Sequence, residues 1–344
     1  MSRISSLVRP NIAALTPYST ARDDYKGPSI GVFLDANESP YDNGYNRYPD
    51  PHQAVLKERL ASIKGVGTEN IFLGNGSDEA IDLVYRIFCT PGKDNVVIMS
   101  PSYGMYGVAA AINDVEVRPV RLEADFSLDT ETLLGACDAF TKAIFLCSPN
   151  NPSGNALPSE QILQICRRFC GVVVLDEAYV DFSARGSLAA EATRMDNLIV
   201  LQTLSKARAM AGLRIGLAIS NPEITGYMSN VKYPYNISRA AMEKAIEFLA
   251  KPIDTEVDTI IRQRDVLSRI LPSFPFVEKV FPSDGNFLLV RVDDADALYD
   301  YLLRRGIIVR NRSRVPGCRQ CLRFTVGLPQ ENDALLNALN DYRK

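Results

Sequence analysis

The stretch Thr203-Leu-Ser-Lys206-Ala-Arg-Ala-Met-Ala-Gly-Leu-Arg214-Ile-Gly216 sets one amine, Lys206, among small and apolar residues. Hydroxyls at Thr203 and Ser205 flank it, and a second cation, Arg214, stands just before a strand-like run. A lysine in such surroundings can have a lowered pKa and act as a nucleophile toward carbonyls. Most lysines are instead solvated surface groups, and the stretch alone does not choose between the two. The choice depends on what stands beside it in the fold.

Outward from this stretch, short apolar runs alternate with helical periodicity from about residue 53 to 220. The runs are Val96-Val-Ile-Met99, Ala143-Ile-Phe-Leu-Cys147, Val172-Val-Val-Leu175 and Leu198-Ile-Val-Leu201. Helical periodicity appears over 53–63, 77–88, 159–169 and 239–249. Turn-bounded apolar runs between helices predict an α/β domain with a mainly parallel central sheet. A different texture begins near residue 251: a long helical stretch over 253–271, strands over 286–291, 307–310 and 322–326, a helix over 295–305, and a last helix from Glu331. These predict a smaller α+β domain over 251–344, after a large domain over 31–250 and an N-terminal arm over 1–30.

Composition narrows the chemistry. The 344 residues are 46% apolar and 23% charged, with a formal net charge of -3, which suits a globular protein and argues against general affinity for nucleic acid. No apolar stretch approaches the ~18 residues of a membrane span, and the N-terminus lacks the pattern of a signal peptide. Seven cysteines at no framework spacing suit a reducing cytoplasm. The pair Cys318-Arg-Gln-Cys321 has no second pair near it and reads as incidental. The only histidine is His52. Serine–histidine and cysteine–histidine catalysis therefore have little to work with, and proton transfer falls to lysine, tyrosine or carboxylates.

In parallel sheets ligands bind beyond the carboxyl ends of the strands. After Ile71-Phe-Leu73 comes Gly74-Asn-Gly-Ser-Asp-Glu79, opening a helix whose free N–H groups suit an anion. Ser77 or Asp78 acting only as a helix cap is the plainer reading of that segment. After Cys147 comes Ser148-Pro-Asn-Asn-Pro-Ser-Gly154, and after Leu175 comes Asp176-Glu-Ala-Tyr179. A carboxylate closing a wholly apolar strand is costly unless paired. Asn151 and Tyr179 also suit ordinary turn chemistry. The conjunction is what points further: an anion-binding helix end, a buried aspartate, an amide, a phenol, a lysine and an arginine, all at successive strand ends. Pyridoxal phosphate requires that set of groups.

The residues resemble the histidinol-phosphate aminotransferase family, of the aspartate-aminotransferase fold (fold type I), almost end to end. The resemblance is carried by Leu15-Thr-Pro-Tyr18, Leu34-Asp-Ala-Asn-Glu-Ser-Pro40, Asn46-Arg-Tyr-Pro-Asp50, Gly74–Glu79, Pro101-Ser-Tyr-Gly-Met-Tyr106, Cys147–Gly154, Asp176–Tyr179, Thr203–Lys206, Ala211–Gly216 and Leu322-Arg-Phe-Thr-Val-Gly327. It implies that Lys206 holds pyridoxal 5'-phosphate and moves the proton from the substrate Cα. It implies that Asp176 keeps the pyridine nitrogen protonated, that Tyr179 and Asn151 contact the ring oxygen, and that Tyr103 stacks on the ring. Gly76, Ser77, Asp78, Thr203, Ser205 and Arg214 are implied for the cofactor phosphate, together with Tyr48 from the other subunit of a homodimer. Tyr18, Asn37, Arg310 and Arg323 are implied for the substrate. The substrates implied are histidinol phosphate and glutamate or 2-oxoglutarate, with no nucleic acid or membrane as partner.

The chain departs from the family pattern after the lysine, where Arg208 and Met210 replace the usual aromatic or aliphatic residues; Arg208 is expected to face solvent or a dimer partner. Threonine-phosphate decarboxylases and aromatic amino-acid aminotransferases share the fold and remain alternatives. A regulator without turnover is the reading from another class, and nothing like a helix-turn-helix precedes the arm.

Overall fold

Runs such as Val172-Val-Val-Leu175 carry no polar face, so both of their sides must be covered, and helices packed on each face of a sheet achieve this. In the computed structural model, residues 4–20 and 32–342 are described. Seven strands form one sheet: β1 (Ile71–Asn75), β2 (Asn95–Ser100), β3 (Glu116–Arg121), β4 (Thr141–Cys147), β5 (Val172–Asp176), β6 (Leu198–Thr203) and β7 (Ile215–Ile219). Their order is β1-β7-β6-β5-β4-β2-β3. Every pairing from β6 across to β3 is parallel. β7 runs antiparallel to both of its neighbours. That reversal matters for the site, because it brings the start of β7 beside the ends of β1 and β6.

The helices follow the apolar period. Helix Ser77–Phe88 buries Ala80, Ile81, Val84, Ile87 and Phe88 against the sheet. Helix Arg239–Leu249 buries Met242, Ala245 and Leu249. Other elements have no such pattern in the sequence. Helix Met105–Ile112 is almost wholly apolar, so it has no polar face to reveal a helical period. β3 carries two arginines and Pro119 and is largely exposed, as befits the sheet's edge, where a missing N–H is tolerated.

Strands β8 (Val277–Val280), β9 (Phe287–Val292), β10 (Arg310–Asn311) and β11 (Cys321–Thr325) form a second, antiparallel sheet in the order β10-β11-β9-β8. Its core joins Leu288, Val290, Leu322 and Phe324 to Leu298, Leu302, Leu335 and Leu339 of the flanking helices. A strand was expected over 307–310, and the ladder forms only at Arg310 and Asn311. Its partner is only five residues long, and pairing reaches no further back than Arg310 opposite Arg323. Ile308 is left exposed.

The N-terminal segment is only partly an arm. Ile4 and Val8 are buried in the larger core, and the Arg9 N–H donates to Ile87 O at 2.9 Å. A short helix covers Pro10–Ala13. Residues 1–3 and 21–30 of the expected arm lie outside those described. Arg208 donates from Nη1 to the Lys251 carbonyl at 3.2 Å, a contact within its own chain.

Candidate active site

Six chain segments deliver residues to one end of the sheet, the turn before the reversed β7 among them. Asp176 ends β5, Thr203 ends β6, and Arg214 stands immediately before β7. The loops after β2 and β4 supply Tyr103 and Asn151. One pocket is lined by Gly76, Ser77, Asp78, Tyr103, Asn151, Asp176, Tyr179, Thr203, Ser205, Lys206 and Arg214. Cys147, Ala178 and Ala211 complete its wall.

An anion cradle forms one end of the pocket. Neither Ser77 nor Asp78 caps helix Ser77–Phe88, and Gly76 has no side chain to do so, so the first N–H groups face the pocket uncapped. Gly76 has φ +74, and a Cβ there would stand 2.7 Å from Arg214 Nη2. At Gly216 a Cβ would lie 2.1 Å from the Ser77 nitrogen. Only glycine lets β7 approach the helix so closely. Arg214 adopts φ +55, a costly conformation for a non-glycine residue. Its carbonyl accepts from Gly76 N at 2.7 Å, while Nη2 lies 3.6 Å from Asp78 Oδ2. Thr203 Oγ1 donates to Ser205 Oγ at 3.0 Å and accepts from Ser205 N at 3.1 Å. A helix end, two hydroxyls and a guanidinium form a donor set that suits a phosphate.

The buried carboxylate sits at the far side. Asp176 is 3% exposed. Its Oδ1 accepts from Ala178 N at 3.0 Å, and its Oδ2 accepts from Tyr106 Oη at 2.7 Å. Burial pushes its pKa up, opposed chiefly by the Tyr106 and Ala178 hydrogen bonds. Tyr106 was legible only as part of the Pro101–Tyr106 motif, with no role attached. It is fully buried, its ring stacked on Phe145 and set edge-on to Tyr103. A hydrogen bond to a charged group is worth about 1.5–3 kcal/mol, and about 1.4 kcal/mol is a tenfold change in rate. Tyr106→Phe is therefore expected to lower kcat by about tenfold or more while leaving the circular dichroism unchanged. An unaltered kcat would show that the hydroxyl does not support Asp176.

Lys206 Nζ lies 5.6 Å from the centre of the Tyr179 ring. Burial of the amine, then the charge of Arg323, lower its pKa, while Asp176 acts against them. Tyr179 is 8% exposed and packs edge-on to Phe287. Arg323 Nη1 donates to Asn151 Oδ1, and its guanidinium lies 5.2 Å from the Phe287 ring centre. With Asn151 Oδ1 thus occupied, the amide's N–H groups remain as its donors.

Four expected residues lie elsewhere in the chain. Tyr48 stacks on Tyr235, with centroids 4.5 Å apart, and lines a separate groove with Asn37. Arg214 borders both that groove and the pocket. Tyr18 and Asn37 are exposed. Arg310 is also exposed, on β10 directly opposite Arg323. Cys318 and Cys321 are buried with Phe126, Phe281 and Leu289, and burial raises both thiol pKa values, that of Cys318 to about 12.

The family described as aminotransferase class I and II matches residues 22–339. The chain belongs to that class. A histidinol-phosphate aminotransferase from Parabacteroides distasonis is 54% identical over 345 residues, covering all of both chains. The chain therefore belongs, within the class, to the histidinol-phosphate aminotransferase family. A solved histidinol-phosphate aminotransferase from Sinorhizobium meliloti, in complex with pyridoxal-5'-phosphate, is similar at TM-score 0.77 and 26% identity, over 85% of this chain and 82% of that one. The L-threonine-O-3-phosphate decarboxylase from Porphyromonas gingivalis is similar at TM-score 0.69 and 25% identity, over 86% and 90%. Among the described residues, no helix is long and apolar enough to cross a membrane.

Proposed function

We propose that this chain binds pyridoxal 5'-phosphate and transfers the amino group of L-histidinol phosphate to 2-oxoglutarate, yielding imidazole-acetol phosphate and L-glutamate. This would be a step of histidine biosynthesis in the cytoplasm. The observation that carries the reading is the convergence of Lys206, Asp176, Asn151, Tyr179 and Arg214 on one pocket.

When bound, the cofactor supplies an aldehyde and a ring able to accept the electron pair left at the substrate Cα. The lowered pKa of Lys206 leaves more of its amine uncharged near neutrality, ready to take the cofactor and then to carry the Cα proton. Asp176, held by Tyr106, provides the negative charge that keeps a ring nitrogen protonated. Asn151 and Tyr179 would present donors to the ring oxygen, and Tyr103 would cover a ring face. The backbone N–H groups of the helix end at Ser77 and Asp78, with Thr203, Ser205 and Arg214, would hold the cofactor phosphate. Arg323, with Arg310, Tyr18 and Asn37, receives the substrate's anionic groups; a guanidinium fork accepts carboxylate or phosphate.

The groove holding Tyr48 meets the pocket at Arg214. That supports a homodimer in which Tyr48 of one subunit reaches the phosphate bound by the other. The separate cores support the division between a large domain (31–250) and a small domain (251–344), and residues 1–30 are proposed as an arm whose Ile4 and Val8 anchor it in the larger core.

Single-turnover spectroscopy tests the reaction. Histidinol phosphate is expected to convert the cofactor to its amine form, and 2-oxoglutarate to reverse this. Carbon dioxide release from threonine phosphate, with no response to histidinol phosphate, would make the protein a decarboxylase. For the shared site, inactive Lys206→Ala chains mixed with Tyr48→Phe chains are expected to form one intact site per heterodimer, restoring the tight cofactor binding that Tyr48→Phe loses. Wild-type cofactor affinity in Tyr48→Phe alone would refute the sharing.

A further inference from the structure

The short ladder between β10 and β11 sets three arginines on one face. Arg310 and Arg323 are directly opposed, so their side chains share a face. Arg323 faces the site, since it bonds Asn151. The ladder runs one bond further, with the Arg312 N–H donating to Cys321 O at 2.8 Å. A strand alternates with a period of two, so Arg312 returns to the face of Arg310. Asn311, between them, turns the other way and donates to Asp296 Oδ1 at 2.6 Å.

Among the described residues, these three cations, Arg310, Arg312 and Arg323, have no counter-charge within ion-pair distance. The Nε atoms of Arg312 and Arg323 are buried without a hydrogen-bond partner. Burial lowers the pKa of Arg312, and the charges of Arg323 and Arg310 lower it further. Like charges gathered partly out of water are unfavourable unless an anion joins them. A carboxylate brings one charge and suits a single guanidinium fork, whereas a phosphate monoester brings nearly two charges and three acceptor oxygens at neutral pH.

We propose that Arg312 is a specificity-determining residue that completes, with Arg310 and Arg323, a subsite for the dianion of a phosphate monoester. The proposal rests on the reading that the amino substrate is phosphorylated. Arg323 alone serves a carboxylate, and the further pair of arginines selects the second charge.

The test uses the holoenzyme, whose cofactor phosphate already fills the cradle at Ser77 and Arg214. Inorganic phosphate and acetate are compared as competitive inhibitors of the half-reaction with L-glutamate. Arg312→Gln is expected to weaken phosphate inhibition about tenfold or more, and to a greater extent than acetate inhibition. Phosphate inhibition of the wild type is expected to strengthen between about pH 6 and 8 as the dianion forms, since inorganic phosphate loses its second proton roughly one unit above the pKa of about 6 of phosphate esters. That gain should shrink in the variant. Arg312→Lys, which keeps the charge without the fork, is expected to lie between the two and serves if the glutamine variant does not fold. Equal weakening of phosphate and acetate, or unchanged phosphate inhibition, would overturn the proposal. If phosphate binding depends on Arg312 and histidinol phosphate is still not turned over, the reaction reading falls and the subsite stands. If histidinol phosphate is turned over and phosphate binding ignores Arg312, the reverse holds.

Discussion

Lys206→Ala is expected to abolish transamination, lowering turnover by at least about a thousandfold, since the loss of a positioned base alone costs about 10²–10⁴-fold. The same change removes the amine proposed to hold the cofactor covalently, so the cofactor should wash out on dialysis and its bound absorbance should disappear. The amine stands against Tyr179 with its pKa lowered by burial and by Arg323. A base acts when deprotonated, so wild-type activity should fall as the pH drops through that lowered pKa. In Lys206→Ala this limb should vanish from the profile, and small free amines should restore part of the rate. Turnover within tenfold of wild type, without added amine, would end the assignment of Lys206.

Asp176→Asn should separate stability from function. The carboxylate is buried at the end of β5 and its pKa is raised, above all by burial. An acid whose folded pKa exceeds its unfolded value destabilises the fold once pH rises through that range. The neutral amide keeps the shape, its single oxygen accepting from Ala178 N while its Nδ2 donates to the Tyr106 hydroxyl oxygen in a reversed bond. The cofactor-free variant should therefore be at least as stable as wild type at pH 8, and its advantage should shrink as the pH falls and the wild-type carboxyl takes up its proton. Its turnover should nevertheless drop by about 10²-fold or more, because a buried charge facing a protonated ring is lost. Thermal melts across pH and single-turnover rates check the two halves separately. Near-normal turnover would remove Asp176 from the mechanism.

Much of the site was legible because each part of it is local. A residue directly after an apolar run stands at a strand end wherever that strand lies in the sheet, so Asp176, Asn151, Thr203 and Lys206 could be read in order along the chain. The helices over 77–88 and 239–249 were readable because each shows apolar residues at its own period. Helix Met105–Ile112 and edge strand β3 escaped, the first for want of a polar face and the second because its exposure admits polar residues and a proline.

By itself, then, the sequence determined the kind of fold, the class of cofactor chemistry and the residues at the strand ends. These follow from patterns that span a few residues. The tertiary structure alone decided how the residues meet. It reversed β7 so that Gly216 pairs with Thr203 and Arg214 lines the same pocket, and it seated Tyr106 on Asp176, 70 positions along the chain. It joined Asn151 to Arg323 across 172 positions and set Arg310 opposite Arg323 through a two-stranded register. Such contacts depend on which strands become neighbours, and that is set by packing of the whole chain, whose energy no short window of residues contains.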